Sequence, residues 1–301
     1  MEDVIEVKNV TKDYGQGKGI FDVDFTIHKG EMLGFVGSNG AGKTTTIRNI
    51  MGFLKPDSGK ICVMGMDSWK DSEKIKKYIG YVPGEIAFPD LKTGTDFIKS
   101  QAEFLGLTDL SYANYLIEKL QLDPSANLKR MSKGMKQKTA IVVALMANPD
   151  IIILDEPTTG LDPLMRVSFL DIIKAEKDKG KTILISSHLY EELEQNCDRV
   201  ALINRGKIVD IANMNEIRNR PVSDFKIEFN NKDDYLKFKE YNYKIIRDQE
   251  KYNQVTLEIN KADINKLFKN LTMFDVKFIA EVKYTLEKHF NTIIKKENKN
   301  V

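Results

Sequence analysis

The sequence is poor in cysteine, in long apolar runs and in charge of one sign. Its 301 residues include only two cysteines, Cys62 and Cys197, which cannot make a disulfide framework and lack metal-ligand spacing. The apolar run Ala140–Ala147 is far shorter than the ~20 residues that a membrane-spanning helix needs. The first residues have neither a basic stretch nor an apolar core, so we expect no secretory signal.

The charge balance also disfavours a class of partner. The formal net charge is only +2, and no concentrated basic block precedes the C-terminal tail. Because nucleic-acid binders usually carry a basic face, we predict no nucleic-acid partner. Apolar residues at 42% and charged residues at 30% fit a globular protein that buries a core.

Alternating strand and helix patterns predict an α/β protein with a mostly parallel sheet covered on both faces. Val4–Val10 and Phe21–Ile27 alternate apolar and polar residues, which predicts an N-terminal antiparallel piece. A helical region is expected at about residues 85–148, and its last helix is predicted over Lys136–Ala147. The first domain is assigned to residues 1–220.

The composition changes after Pro221, where glycine disappears and Lys, Asn, Tyr and Phe become common. The pattern from residue 225 to 280 predicts the element order βαββαβ. That order is typical of a small ferredoxin-like domain, which we place at residues 222–294. The polar tail, residues 295–301, is predicted to be disordered.

The segment Gly37–Thr44 satisfies the complete phosphate-loop pattern between a predicted strand and a predicted helix. Glycines let backbone N–H groups turn towards phosphate oxygens, and the following helix adds its positive end. The Lys43 ammonium is expected to reach the β- and γ-phosphates of ATP, and the Thr44 hydroxyl to bind Mg²⁺. The alternative is a glycine-rich turn that binds nothing, which the flanking strand and helix disfavour. The predicted nucleotide contacts in this segment are Gly37, Ser38, Asn39, Gly40, Ala41, Gly42, Lys43, Thr44 and Thr45.

Two acidic residues, Asp155 and Glu156, follow a fully apolar predicted strand. Asp155 would hold Mg²⁺, directly or through water, and Glu156 would orient and deprotonate the attacking water. Two acids at a strand end are by themselves more often an ordinary solvated turn. The phosphate loop in the same chain reverses that preference.

Further motifs, in order and spacing, resemble those of the ABC ATPases over residues 1 to about 220. Met131–Lys138 resembles their signature motif, Thr159–Asp162 their D-loop and His188 their switch histidine. Tyr14 lies where the family places an aromatic residue against adenine. The resemblance implies a RecA-like core sheet with an antiparallel β subdomain and a helical subdomain.

The resemblance also implies a head-to-tail dimer with two ATP molecules between the subunits. Ser132 and Gly134 would contact the ATP held by the second subunit, and Asp162 would couple the two sites. His188 would act in catalysis together with Lys43 and Glu156. Taken alone, a tyrosine such as Tyr14 is more often a packing residue, and His188 could simply cap the helix that follows it.

Two places depart from the family pattern. Gly84 and Glu85 stand where many members have a glutamine that senses Mg²⁺ and contacts the membrane partner, so Glu85 is a candidate metal ligand. In the signature, Lys133 and Met135 replace a glycine and a glutamine. Lys133 either adds a cation near the opposing γ-phosphate or points into solvent. Such a signature resembles those of bacterial exporters of antimicrobial or amphipathic peptides and drugs.

The leading hypothesis is an ATPase subunit at the cytoplasmic face of the membrane. A separate transmembrane permease would hold it there, and a second ATP-binding subunit, expected to be identical, would complete the sites. One alternative is a soluble ABC ATPase acting on nucleic acid or ribosomes, which the charge and the short spacing from Lys43 to Ser132 disfavour. The other is a regulatory domain without hydrolysis, which the intact Lys43, Asp155, Glu156 and His188 disfavour.

Overall fold

The protein, described by a computed structural model over residues 2–297, forms two compact units. One unit extends to Asn213 and the other begins at Met214. The sequence predicted this boundary near residue 220, but the short helix Met214–Arg218 belongs to the second unit. Between residues 2 and 297, no helix is both long and apolar enough to cross a membrane.

The first unit begins with an antiparallel strand pair and continues with alternating strands and helices. Its strands are β1 (Asp3–Asp13), β2 (Gly19–His28), β3 (Met32–Val36), β4 (Ser58–Val63), β5 (Met66–Asp67), β6 (Ile79–Val82), β7 (Ile151–Asp155), β8 (Thr182–Ser187), β9 (Arg199–Asn204) and β10 (Lys207–Asn213). Its helices are α1 (Lys43–Ile50), α2 (Ser72–Ile75), α3 (Gly94–Phe104), α4 (Ser111–Lys119), α5 (Lys133–Leu145), α6 (Pro163–Asp178) and α7 (Tyr190–Asn196).

Two sheets organise this unit. One is antiparallel in the order β2-β1-β4-β5, and the other runs β10-β9-β3-β8-β7-β6. All neighbours in the second sheet are parallel except β10 and β9. The predicted antiparallel piece and the mostly parallel sheet are therefore confirmed. The rings of Phe25 and Phe35, with centroids 5.6 Å apart, pack β2 against β3 in the shared core.

The parallel sheet positions the segments that carry the candidate site residues. Every residue of β3, β7 and β8 is buried, as expected for strands covered on both faces. β8 pairs with β3 on one side and with β7 on the other. Because parallel strands end at the same edge, the segments that follow β3, β7 and β8 lie side by side there.

The helices of the predicted helical region, α3 to α5, are present, but α5 begins earlier than its apolar pattern indicated. The prediction began this helix at Lys136, whereas the structure begins it at Lys133. Ser132 is its N-cap and accepts a hydrogen bond from the Met135 N–H at 3.2 Å. Polar capping residues carry no hydrophobic periodicity, so this first turn escaped the pattern.

The second unit is built on one antiparallel sheet in the order β12-β13-β11-β14. Its elements are α8 (Met214–Arg218), β11 (Val222–Phe229), α9 (Lys232–Lys239), β12 (Lys244–Gln249), β13 (Gln254–Asn260), α10 (Ile264–Leu271), β14 (Val276–Val282) and α11 (Leu286–Glu297). The order βαββαβ from β11 to β14 agrees with the prediction.

Helix α11 was not predicted. Its buried Leu286 and Phe290 are four residues apart on one helix face. Both lie within the predicted domain, residues 222–294, but after its last predicted strand, and polar residues separate them. The tail was predicted to begin at residue 295, yet α11 continues to Glu297. Residues 298–301 of that predicted tail lie outside the described part of the chain.

Phe238 packs within an aromatic cluster in the core of the second unit, and we expect Phe238→Ala to lower the free energy of unfolding by about 3–5 kcal/mol. The side chain is fully buried, and the rings of Phe229, Tyr241, Tyr243 and Phe274 lie between 5.1 and 6.0 Å from its ring centroid. Urea unfolding followed by circular dichroism measures the loss. Tyr252→Ala is the control, since Tyr252 is 53% exposed and should change stability by less than about 0.5 kcal/mol. Equal effects of the two variants would contradict this description of the core.

Candidate active site

The loop between β3 and α1 has a shape that only glycine permits at several positions. Gly40 and Gly42 have φ angles of 78° and 117°, in the region that favours glycine. A Cβ atom on Gly37 would lie 2.4 Å from the Ile203 carbonyl oxygen, and one on Gly42 would lie 2.7 Å from Ile20 Cγ2. The predicted phosphate loop is therefore packed tightly against β9 and the β1–β2 hairpin.

Lys43, the first residue of α1, is 5% exposed. Its ammonium donates to the carbonyl oxygens of Gly37, at 2.7 Å, and Ser38, at 3.3 Å. The same nitrogen lies 3.1 Å from Glu156 Oε1. Lys43 is thus buried at the centre of the loop, held by neutral acceptors and one carboxylate that a phosphate oxygen can replace.

Asp155 lies at the end of β7 and is completely buried. The Ser186 hydroxyl donates to Asp155 Oδ1 at 2.7 Å and accepts a hydrogen bond from the Glu156 N–H at 2.9 Å. Asp155 Oδ2 has no hydrogen-bond partner among residues 2–297. A buried carboxylate oxygen without a partner is costly, and a cation would satisfy it.

The donor set around Asp155 fits Mg²⁺. Gly84 faces the unpartnered oxygen so closely that a Cβ atom there would lie 3.2 Å from Asp155 Oδ2, and the absence of a side chain leaves room beside it. Thr44 lines the same pocket. In the described chain no group of three acidic, histidine or cysteine side chains could enclose a metal alone. Mg²⁺ needs no such cage, because it binds through one or two protein ligands with phosphate and water.

Glu156 follows Asp155 with a φ angle of 50°, an uncommon conformation for a residue other than glycine. Its two carboxylate oxygens face different partners. Oε1 lies 3.1 Å from Lys43 Nζ, and Oε2 lies 3.6 Å from His188 Nδ1. His188 itself is half exposed. The structure therefore brings Lys43, Glu156 and His188 together, and their catalytic roles stay a prediction.

A pocket of about 710 Å³ opens over the phosphate loop. Its wall contains ten of the predicted site residues: Tyr14, Asn39, Gly40, Gly42, Lys43, Thr44, Thr45, Glu85, Asp155 and Glu156. Tyr14 is 54% exposed, so its ring is available to a ligand. Gly37, Ser38 and Ala41 belong to the same loop but do not line the pocket.

Ser132, Gly134 and Asp162 do not line the pocket either. Gly134 abuts the D-loop, since a Cβ atom on it would lie 2.7 Å from the Gly160 carbonyl oxygen. The Asp162 carboxylate accepts a hydrogen bond from the Met165 N–H at 3.0 Å and caps α6. The role of Asp162 in coupling two sites stays a prediction.

Sequence reasoning missed three cations on the pocket wall, Lys18, Arg48 and Arg205. Arg205 precedes Gly206, whose N–H donates to the Ala41 carbonyl at 2.9 Å and whose carbonyl accepts from the Phe21 N–H at 2.7 Å. These bonds bring the β9–β10 turn to the phosphate loop. No local sequence signal marks such a contact, because its partners are far apart in the chain.

Sequence reasoning also missed Ser186 and Tyr81 near Asp155. Ser186 belongs to none of the sequence motifs, although its hydroxyl bonds both acidic residues. Burial, and next the Asp155 carboxylate, raise the pKa of Tyr81 to about 12. Tyr81 therefore stays a neutral phenol beside the acidic pair throughout the physiological pH range.

Comparisons with known proteins agree with this geometry. The family model described as ABC transporter matches residues 20–159. The bacitracin transport ATP-binding protein BcrA of Bacillus licheniformis is 31% identical over 304 residues, which cover 98% of each chain. The chain belongs to the ABC transporter ATP-binding proteins. The resemblance to the ABC ATPases is thereby confirmed, and the first unit is an ABC ATPase domain.

Two further proteins are similar to this chain over about 72% of its length. The linearmycin resistance ATP-binding protein LnrL of Bacillus subtilis (strain 168) is 35% identical over 222 residues, covering 72% of this chain and 71% of that protein. A solved structure, described as the ATP binding subunit of an ABC transporter, is 31% identical with a TM-score of 0.66. It covers 72% of this chain and 92% of its own.

We expect Ser186→Ala to destabilise the ligand-free protein by about 1–3 kcal/mol, because it leaves the buried Asp155 carboxylate without its hydroxyl donor. Thermal unfolding without nucleotide or metal measures the change. Ser125→Ala is the control, since the Ser125 hydroxyl bonds an exposed carboxylate, that of Asp123. An unchanged melting temperature for Ser186→Ala would show that Ser186 does not hold Asp155.

Proposed function

We propose that this chain binds MgATP and hydrolyses it to drive a membrane exporter of antimicrobial or amphipathic peptides or drugs. The observation that supports hydrolysis most directly is the position of the Glu156 carboxylate between Lys43 Nζ and His188 Nδ1. A carboxylate at the edge of a phosphate site is placed to accept a proton from an attacking water.

Different residues would bind the nucleotide, hold the metal ion and accept the proton. Lys43 would exchange its contacts with the loop carbonyls and Glu156 for phosphate oxygens when ATP binds, and Tyr14 would stack on the adenine. Thr44 and Asp155 would hold Mg²⁺, with Glu85 as a further candidate ligand, and the ion would neutralise charge on the phosphates. Once Lys43 has moved to the phosphates, Glu156 is released to take the proton of the water, and His188 lies beside it to bind the γ-phosphate.

The signature residues favour a head-to-tail dimer of two such chains. Ser132 is exposed at the N-terminus of α5 and, with Gly134, lies outside the pocket of its own chain. A helix N-terminus attracts phosphate, so both residues suit the nucleotide held by a second subunit. In this arrangement Asp162 would lie at the interface and couple the two sites.

A separate transmembrane permease is the proposed membrane partner, which would hold the dimer at the cytoplasmic face. The helical region offers exposed apolar surface for it, above all Phe104, which is 85% exposed. We also propose that the second unit is a ferredoxin-like domain, which its antiparallel sheet order β12-β13-β11-β14 supports. Its place in the chain suggests contacts between subunits or regulation of the ATPase.

The proposed cargo class rests on the relatives and on the signature. The relatives named above are a bacitracin transport protein and a linearmycin resistance protein. The bacitracin relative aligns with nearly the whole chain, including the second unit. The lysine in the signature, Lys133, supports the same cargo class, because such a signature resembles those of bacterial peptide and drug exporters.

We expect Glu156→Gln to lower ATP turnover by about 10²–10⁴-fold, the contribution of a general base, while ATP-bound dimers persist. The amide keeps the size of the side chain but cannot accept the proton. Phosphate release and light scattering with ATP measure the two effects. Glu191→Gln changes an exposed glutamate on α7 and should turn over ATP like the wild type. Full turnover by Glu156→Gln would show that another group is the base.

The transport proposal predicts resistance to a peptide antibiotic. Bacteria that express this chain with its proposed permease should tolerate more bacitracin than bacteria that express the same permease with the Glu156→Gln chain. The minimum inhibitory concentration measures the difference, and linearmycin, named in the second relative's description, is the second antibiotic tested. Equal concentrations for both strains and both antibiotics would contradict this cargo class.

A further inference from the structure

A buried carboxylate behind the active site has no role in the mechanism above. Glu192, on α7, is 7% exposed. Its Oε2 atom accepts hydrogen bonds from the Ser187 hydroxyl at 3.0 Å and the Thr158 hydroxyl at 3.1 Å. Its Oε1 atom lies 3.3 Å from Arg166 Nε. A buried carboxylate with three partners from three segments fixes those segments relative to one another.

The three partners belong to the segments that matter for catalysis. Ser187 directly precedes His188, and its oxygen also accepts a hydrogen bond from the Leu189 N–H at 3.0 Å. The Ser187 hydroxyl therefore holds the turn that contains His188, because it bonds both Glu192 and the backbone on the other side of His188. Thr158 stands two positions after Glu156, whose carboxylate lies 3.6 Å from His188.

Arg166 connects the same carboxylate to the D-loop. Its backbone N–H donates to the Asp162 carbonyl oxygen at 2.9 Å in the first turn of α6. The guanidinium reaches Glu192 as an ion pair but without hydrogen-bond geometry, since neither Arg166 Nε nor Glu192 Oε1 has a hydrogen-bond partner in the described chain. A small displacement of α6 would therefore change this contact before it changed the hydroxyl bonds.

We propose that Glu192 is a positioning residue that transmits the position of α6, through Arg166 and Ser187, to the switch histidine His188. This inference rests on the proposed function, because it assigns His188 to catalysis and the D-loop to a subunit interface. Closure of a second subunit on the D-loop would move α6, tighten the Arg166–Glu192 pair and set the His188 turn. The ATP site would then be active only when the D-loop is engaged.

The test compares Glu192→Gln, Arg166→Gln and the double variant. Each single change removes the ion pair; Glu192→Gln keeps the size of the side chain, whereas Arg166→Gln also shortens it by removing the guanidinium. We expect each to lower kcat by about tenfold, as loss of an outer-shell contact does, with ATP affinity within about twofold of the wild type. Because both changes break the same link, the double variant should be no slower than the slower single variant.

Glu176→Gln is a matched control. Glu176 lies in the last turns of α6, is 1% exposed, and is bonded by the Tyr112 hydroxyl and the Lys179 ammonium, both at 2.6 Å. Glu176→Gln removes the charge of a buried carboxylate on α6, the helix that carries Arg166. The side-chain partners of Glu176 are Tyr112 and Lys179, and neither belongs to the Glu192 cluster. We expect this variant to lower the melting temperature at least as much as Glu192→Gln while kcat stays at the wild-type value.

A second readout needs no turnover. The chain has only three histidines, His28, His188 and His289, so the ring Cε1–H signal of His188 can be assigned in a histidine-labelled sample with His188→Ala. We expect Glu192→Gln and Arg166→Gln to shift this signal in the same direction by more than its line width, and Glu176→Gln to leave it unchanged.

The outcomes separate the inference from the function on which it rests. Wild-type protein without ATP turnover would contradict the proposed function, and the His188 signal would still decide whether Glu192 positions that residue. An unmoved His188 signal in both variants would overturn the inference. Wild-type kcat in Glu192→Gln, or single effects that multiply in the double variant, would overturn it as well.

Discussion

The register between β7 and β8 is the constraint on which the site depends. It places Asp155 opposite Ser186, so that one hydroxyl bonds the aspartate oxygen and the next backbone N–H. A shift by one residue would turn Asp155 to the other face of the sheet and remove its partner. The apolar side chains that bury both faces of these strands therefore also fix the acidic pair. At this edge of the sheet, the packing that stabilises the strands also fixes the positions of Asp155 and Glu156.

The phosphate loop and the acidic pair could be predicted because each follows a strand with a strong apolar pattern, whereas His188 was added only by the resemblance to the ABC ATPases. Parallel strands bring such positions together regardless of what lies between them in the chain. The prediction was weaker where the signal is polar. The first turns of α5 and α6 begin at capping residues, Ser132 and Asp162, that resemble loop residues in a sequence.

The contributions that no pattern could show come from tertiary contacts. Ser186 is an ordinary strand residue until β7 lies beside it, and Arg205 is an ordinary turn residue until Gly206 bonds Ala41. Helix α11 was hidden for another reason. Its two buried residues, Leu286 and Phe290, are too few to stand out among the lysines and asparagines around them.

The Gly206 turn has a consequence for how a ligand would bind. Its backbone is bonded both to the phosphate loop, at Ala41, and to the hairpin that carries Tyr14, at Phe21. There is no room for a side chain, since a Cβ atom on Gly206 would lie 2.4 Å from the Gly19 carbonyl oxygen. The phosphate loop and the hairpin that carries Tyr14 are thus joined to each other, through Gly206, before a ligand binds. A preorganised pocket spares the ligand the entropy of ordering it, so more of the contact energy appears as affinity.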